Sequence, residues 1–252
     1  MNPGGNTILV TGGGSGIGRG LAEELQKLGN HVIIAGRRRS VLDETTAANP
    51  GMSSMVFDIE QASGIRSFVP ELLAQFPKLN VVINNAGIMR PEKLLEQSED
   101  LADAEAIVTT NLLGPIRLIA ALVPHFKQQQ AATIINVSSG LAFVPLSATP
   151  TYCATKAAIH SYSQSLREQL KSTKIEVLEI IPPYVQTDLM DGAAKDPRAM
   201  PLKDFITETI ALLTSQPTPP EITTERVKFL SQAVNRGEYE KVFGILNAQH
   251  FE

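Results

Sequence analysis

The sequence predicts an α/β fold, a doubly wound parallel sheet with helices on both faces, and three observations carry that expectation. Short apolar runs of β type alternate four times with segments of helical period between residues 7 and 128. The first such run passes straight into a glycine-rich turn that opens a helix. Small polar and charged residues collect where the runs end, at Arg37 and Arg38, at Asp58, at Asn84-Asn85 and at Ser138-Ser139. In a parallel sheet those ends share one edge, which is where the ligand crevice of such folds lies.

The first run, 7–10, is followed by Thr11-Gly12-Gly13-Gly14-Ser15-Gly16-Ile17-Gly18, and helical spacing then continues through Leu21, Leu25 and Leu28. Strand, glycine turn and helix in this order suit a dinucleotide, because glycine lets the backbone approach a pyrophosphate resting on the helix N-terminus. Gly12, Gly14, Ser15, Gly16, Ile17 and Gly18 are therefore candidate cofactor residues. The second run, 31–35, ends in Gly36-Arg37-Arg38-Arg39 with no acid. An acid at this point would bind the adenosine ribose hydroxyls of NAD, whereas Arg suits a 2′-phosphate, so NADP is favoured with NAD still possible.

A third run, 55–57, closes on Asp58, which can accept from an adenine amino group or cap the helix expected at 61–76. The fourth, 81–83, runs into Asn84-Asn85-Ala86-Gly87, whose last three residues join the cofactor candidates. A long helical stretch, 101–128, holds Asn111 among Ile107, Leu112, Leu113 and Ile116, and a polar side chain in that company needs partners. The fifth strand, 133–137, leads to Ser139, and the helix expected over 151–171 carries Tyr152 and Lys156. Residues four apart share a helix face, about 6 Å apart along the axis, so phenol and ammonium can address one spot. A sixth strand, 175–181, precedes Pro182-Pro183-Tyr184-Val185-Gln186-Thr187-Asp188. Residues 189–202 lack a clear period, so 186–215 is read as a substrate-covering flap and helix. Beyond it the tail is read as amphipathic helices, with no further strand.

A hydrophobic content of 43% is ample for one core, and a single domain over 1–252 is expected. With a net charge of −4 and one short basic cluster, nucleic-acid binding is not expected. The lone cysteine, Cys153, excludes an internal disulfide. No signal pattern and no membrane-length run is found, so a cytoplasmic location without membrane partners is the default. Four scattered His without H-x-x-x-H or C-x-x-C spacing support no metal site.

Taken together, Thr-Gly-x-x-x-Gly-Ile-Gly at 11–18, Asn-Asn-Ala-Gly at 84–87, Asn111, Ser139 and Tyr-x-x-x-Lys at 152–156 resemble the short-chain dehydrogenase/reductase family. The resemblance spans nearly the whole chain and implies a Rossmann-type fold and a nicotinamide cofactor. It also implies catalytic roles. Tyr152 would exchange the proton with the substrate oxygen, and Lys156 would lower the Tyr pKa and hold the nicotinamide ribose. Ser139 would hydrogen-bond the carbonyl, and Asn111 would order a water. Pro182, Val185 and Thr187 match the cofactor-binding segment, although Pro-Pro replaces the family's usual Pro-Gly. The Pro-Pro-x-Val-x-Thr-Asp segment and the Glu-Arg-Val-rich tail look like the DltE-type branch. Leu141, Phe143, Leu146 and Tyr184 follow catalytic positions and would line an apolar pocket suited to hydrophobic or aromatic ketones. A homodimer or homotetramer acting on a small carbonyl or alcohol is expected. A non-catalytic NAD(P)-binding regulator, or an epimerase or dehydratase on the same fold, are the rival readings.

Overall fold

Strands rich in Ile, Val and Leu on both faces require cover on both sides, and the computed structural model has that arrangement. It describes residues 1–96, 101–190 and 192–248. Seven parallel strands form one sheet: β1 (Thr7–Thr11), β2 (His31–Gly36), β3 (Ser53–Val56), β4 (Leu79–Asn84), β5 (Ala132–Val137), β6 (Ile175–Ile181) and β7 (Glu221–Thr223). Their order is β3-β2-β1-β4-β5-β6-β7, so the winding reverses between β1 and β4 and opens a crevice there.

The pleat sorts the strand residues into two layers. Ile8 and Val10 face a layer closed by Leu21 and Leu25 of α1 (Gly16–Lys27) and by Phe205 and Leu213 of α7 (Leu202–Leu213). Leu9 and Ile33 face the opposite layer. It is closed by Phe68 and Leu72 of α3 (Ala62–Gln75), Leu118 and Leu122 of α5 (Gly114–Phe126) and Leu166 of α6 (Pro150–Leu170). α2 (Arg39–Ala48) follows β2. α4 (Ala102–Val108) continues into α5 through one π turn, Thr109–Leu113. The resulting helix, Ala102–Phe126, is long and apolar enough to cross a membrane, contrary to the sequence reading. Its inward residues Leu118, Ile119, Leu122 and Phe126 are spent on the core of the sheet.

Two further expectations are corrected. The third strand begins earlier than 55, at Ser53, because β2 supplies backbone partners to the two serines that their side chains do not advertise. A seventh strand exists where only helices were expected: Glu221–Thr223 pairs with β6 through Ile180 and Ile222. Three residues beside Pro219-Pro220 are too short to show a period of two, and the exposed edge of β6 recruits them. The rest of the tail is helical as expected, with α8 (Lys228–Ser231) and α9 (Tyr239–Ala248).

The segment read as a flap is partly anchored. Gln186 donates its N–H to the Met200 carbonyl at 2.9 Å, and Met200 donates to the Tyr184 carbonyl at 2.8 Å, which closes the base of the loop. A short 3₁₀ turn, Ala193–Lys195, lies between; Asp191 is outside the described residues.

Candidate functional site

The glycine turn is a cradle closed by neighbouring backbone. Gly12 and Gly16 have φ of 66° and 52°, left-handed values that disfavour other residues. A Cβ on Gly18 would stand 2.3 Å from the Gly12 carbonyl oxygen and 2.4 Å from Asn85 Nδ2, so the turn can close only around a bare Cα. Thr11 Oγ1 accepts the N–H groups of Asn85 and Ala86, both at 3.1 Å, and Asn85 Nδ2 donates to the Thr11 carbonyl at 3.0 Å. The end of β4 is thereby strapped to the turn. Helix α1 starts at Gly16 with no side-chain cap and no acid in its first turn, leaving its N–H groups and partial positive charge for an anion. Thr187 lies beside Gly16, near enough that a Cβ there would meet its methyl at 3.4 Å. These features fit a dinucleotide pyrophosphate.

At the adenosine end the structure separates the arginines. Arg37 pairs with Glu60 at 3.1 Å, and Glu60 also accepts from the Thr110 hydroxyl at 2.8 Å. Arg39 faces Asp43 at 4.0 Å. Arg38 is exposed and has no ion pair among the described residues, so a 2′-phosphate finds Arg38 free and Arg37 already engaged. Asp58 accepts from the Glu60 N–H at 3.1 Å, and the position capping α3 is Gln61, so the capping role read for Asp58 does not hold.

Tyr152, Ser139, Lys156 and Asn111 converge at the C-terminal ends of β4 and β5. All four are buried. The Tyr152 phenol lies beside Ser139, whose Oγ accepts from the Leu141 N–H at 3.1 Å. Lys156 Nζ lies 5.5 Å from the centre of the Tyr152 ring and donates to the Val137 carbonyl at 2.8 Å. Asn111 sits in the π turn. Its Oδ1 accepts from the Ile88 N–H and its Nδ2 donates to the Ile88 carbonyl, each at 2.9 Å, with a further bond to Thr155 Oγ1 at 3.3 Å. Those bonds use both amide N–H groups, so the side chain braces the loop after Gly87 against α6. A π turn is a common distortion at functional sites.

The expectation that Lys156 lowers the Tyr152 pKa is not met by the protein's own groups. Burial pushes the phenol well above its usual value, with the nearby Ser139 hydroxyl acting the other way, because removing the anion from water outweighs what surrounds it. Burial also brings Lys156 down to about 8, with the Glu179 charge acting against that change.

A cradle of this shape beside a Tyr, Lys, Ser and Asn cluster matches a known pattern over most of the chain. The family model described as short chain dehydrogenase matches residues 6–198. This chain is a short-chain dehydrogenase. It is 38% identical over 247 residues to a Bacillus subtilis protein described as an uncharacterized oxidoreductase, DltE, covering 97% of each chain. Among solved structures it resembles a Burkholderia cenocepacia short chain dehydrogenase in complex with NADP. That match has a TM-score of 0.82 and 23% identity and covers 98% and 99% of the two chains. A Brucella melitensis 3-ketoacyl-(acyl-carrier-protein) reductase complexed with NADH aligns with a TM-score of 0.77 and 27% identity, over 86% and 93%.

The four residues read as a substrate pocket are not brought together in this dehydrogenase. Leu141 and Leu146 line an apolar groove of about 400 Å³ with Pro145, Cys153, Ala157 and Phe243, on the side of α6. The Phe143 ring packs on His160 at 4.6 Å. The Tyr184 hydroxyl donates to Asp196 at 3.2 Å. The sequence reading placed all four in one pocket because they follow catalytic positions, and it had no means of seeing which way each side chain turns.

Other members of the site escaped sequence reading. Thr11, the hub of the cradle, was read only as the first residue of the glycine motif, without its bonds to the Asn85 and Ala86 N–H groups. Thr155 and Ile88, which engage Asn111, carry no local signal. Glu179 does carry one, a carboxylate inside the apolar run Ile175–Ile181.

Proposed function

We propose that this short-chain dehydrogenase transfers a hydride between NADP(H) and a carbonyl or secondary alcohol, as one dinucleotide-binding and catalytic unit over residues 1–252. The observation that carries the reading is the buried Tyr152 phenol, beside Ser139 and flanked by Lys156, on the same sheet edge as the glycine cradle. The nicotinamide supplies or takes the hydride when bound. The protein contributes position, charge and a proton.

Gly12, Gly14, Ser15, Gly16, Ile17 and Gly18 hold the pyrophosphate, with Asn85, Ala86, Gly87, Pro182, Val185 and Thr187 along the crevice and Asp58 at the adenine. Ser139 donates its hydroxyl to the substrate oxygen. Tyr152 gives its proton to that oxygen as negative charge develops there; a phenol kept protonated by burial is suited to the reducing direction. Lys156 places a positive charge by the ring and holds the ribose. Asn111 is a positioning residue. A nicotinamide dinucleotide is also what the Brucella relative contains. The preference for NADP rests on Arg38 and on the lack of an acid after β2.

An apolar or aromatic ketone is the proposed substrate class, since the loop following Ser139 begins with the part-exposed apolar residues Leu141 and Ala142. The proposed setting is the cytoplasm, and the proposed assembly a homodimer or homotetramer. Oxidation of NADPH followed at 340 nm over aryl ketones, 3-ketoacyl thioesters and polyols tests the reading. Turnover of aryl ketones above polyols is expected. No NADPH or NADH consumption across the panel would favour the non-catalytic regulator.

Removing the free cation should separate the two cofactors. Arg38→Ala is expected to weaken NADPH binding about tenfold, the worth of a charge-assisted contact, and to leave NADH binding unchanged. Fluorescence titration with each cofactor checks this, and equal losses for both would reassign Arg38 to the fold.

A further inference from the structure

Behind the Tyr152 and Lys156 pair lies a buried charge that the proposed chemistry does not use. Glu179 is wholly enclosed in the middle of β6, among Val177, Leu178, Ile180 and Ile181. A carboxylate in such a place is costly unless it is paired, and a well-packed apolar pair is often at least as stable. Pairing here is complete on the side facing α6. Ser138 Oγ donates to Glu179 Oε1, and His160 Nδ1 lies 3.0 and 2.9 Å from the two carboxylate oxygens. This partner raises the His160 pKa, which favours the imidazolium.

The position of Ser138 gives the group its consequence. The preceding residue, Val137, offers the carbonyl that accepts Lys156 Nζ, and the following one is Ser139. The Ser138 N–H donates to the Ile180 carbonyl at 2.9 Å, so backbone and side chain both tie this residue to β6. The ionisable groups around the pair are few. Helix α6 brings Tyr152, Lys156, His160 and Arg167, β7 brings Glu221 toward His160, and β5 with the residue after it contributes only the Val137 carbonyl and the Ser138 hydroxyl. Of these, Glu179 is the one whose charge opposes the effect of burial on Lys156.

From this geometry we infer that Glu179 is a positioning residue of the reaction: its carboxylate, clamped between Ser138 and His160, sustains the positive charge of Lys156 and fixes the strand end that presents Ser139. The inference rests on the proposed roles of Tyr152 and Lys156. A deprotonated Lys156 can neither stabilise the phenolate nor hold the ribose by charge, so loss of Glu179 brings failure at lower pH.

Glu179→Gln tests it, because glutamine keeps the size and an acceptor for Ser138 while removing the charge. The alkaline limb of kcat/KM should move down by about one pH unit, a typical effect of one nearby charge. Such a shift lowers the rate about fivefold at pH 8 and less than twofold at pH 6.5. NADPH binding, followed by its fluorescence across the same pH range, should shift in parallel, and Glu179→Asp should restore most of the parent profile. If Glu179→Gln does not fold, Glu179→Gln with His160→Gln removes both partners together and leaves no unpaired ion. A smaller downward shift is expected of it, because a positive charge on His160 leaves together with the carboxylate. A folded variant whose two profiles superimpose on the parent would overturn the inference, as would failure of both variants to fold, which assigns Glu179 to stability alone. Retained turnover in Tyr152→Phe would instead overturn the underlying mechanism.

Discussion

Tyr152→Phe should lower kcat at least about a hundredfold, within the range of roughly 10²- to 10⁴-fold that a positioned proton donor contributes. NADPH affinity should change little, because the phenyl ring still fills the same buried space in contact with Ile107, Leu146 and Cys153. The loss arises at one atom. With the hydroxyl gone, nothing else in the cluster can deliver a proton to the substrate oxygen, since Lys156 Nζ is turned to the Val137 carbonyl and Ser139 has no proton source of its own. Steady-state rates with a fluorescence titration of NADPH decide the matter, and near-normal turnover with the cofactor bound would reject the mechanism.

The same variant has a second signature. The phenol pKa is raised above its ordinary value of 10.0 on folding, so its contribution to stability is constant below pH 10 and is lost as pH rises above it, when the unfolded chain ionises first. Phenylalanine cannot ionise. Tyr152→Phe should therefore be less sensitive to alkaline unfolding above pH 10 than the parent.

Gly18→Ala is expected to have the other large effect. Its Cβ would stand 2.3 Å from a backbone oxygen and 2.4 Å from Asn85 Nδ2, and the first of these has no rotamer with which to move aside. Either the turn opens or Asn85 gives up its bonds to Thr11 and Gly12, and both outcomes disturb the surface on which the pyrophosphate lies. A stability loss of about 1–3 kcal/mol, typical of overpacking, should accompany a drop in NADPH affinity of more than about tenfold. Thermal melts and NADPH titration measure the two effects. Wild-type affinity in the variant would mean that the cradle yields without cost.

Much of this was legible in the sequence because it rests on local rules. The alternation of apolar runs, the glycine turn after β1, and the four-residue spacing of Tyr152 and Lys156 each declare an element and a face without reference to the rest of the chain. Asn111 was also conspicuous, since an amide among Ile and Leu residues demands partners. The sequence could not say that those partners are Ile88 and Thr155, or that the helix takes a π turn to reach them, because neither depends on neighbours in the chain.

What the sequence alone determined about this short-chain dehydrogenase was its parallel sheet, its cofactor edge and the four residues at its centre, all expressed in short-range pattern. Tertiary structure decided the rest. The edge of β6 turned three residues of the tail into β7; Glu60 engaged Arg37 and left Arg38 free; Phe143 and Tyr184 were drawn away to His160 and Asp196. Burial pushed the Tyr152 pKa up where a neighbouring ammonium suggested it would fall. Each of these turns on which distant groups meet and on how much water remains between them, and neither is expressed in the spacing of residues along a chain.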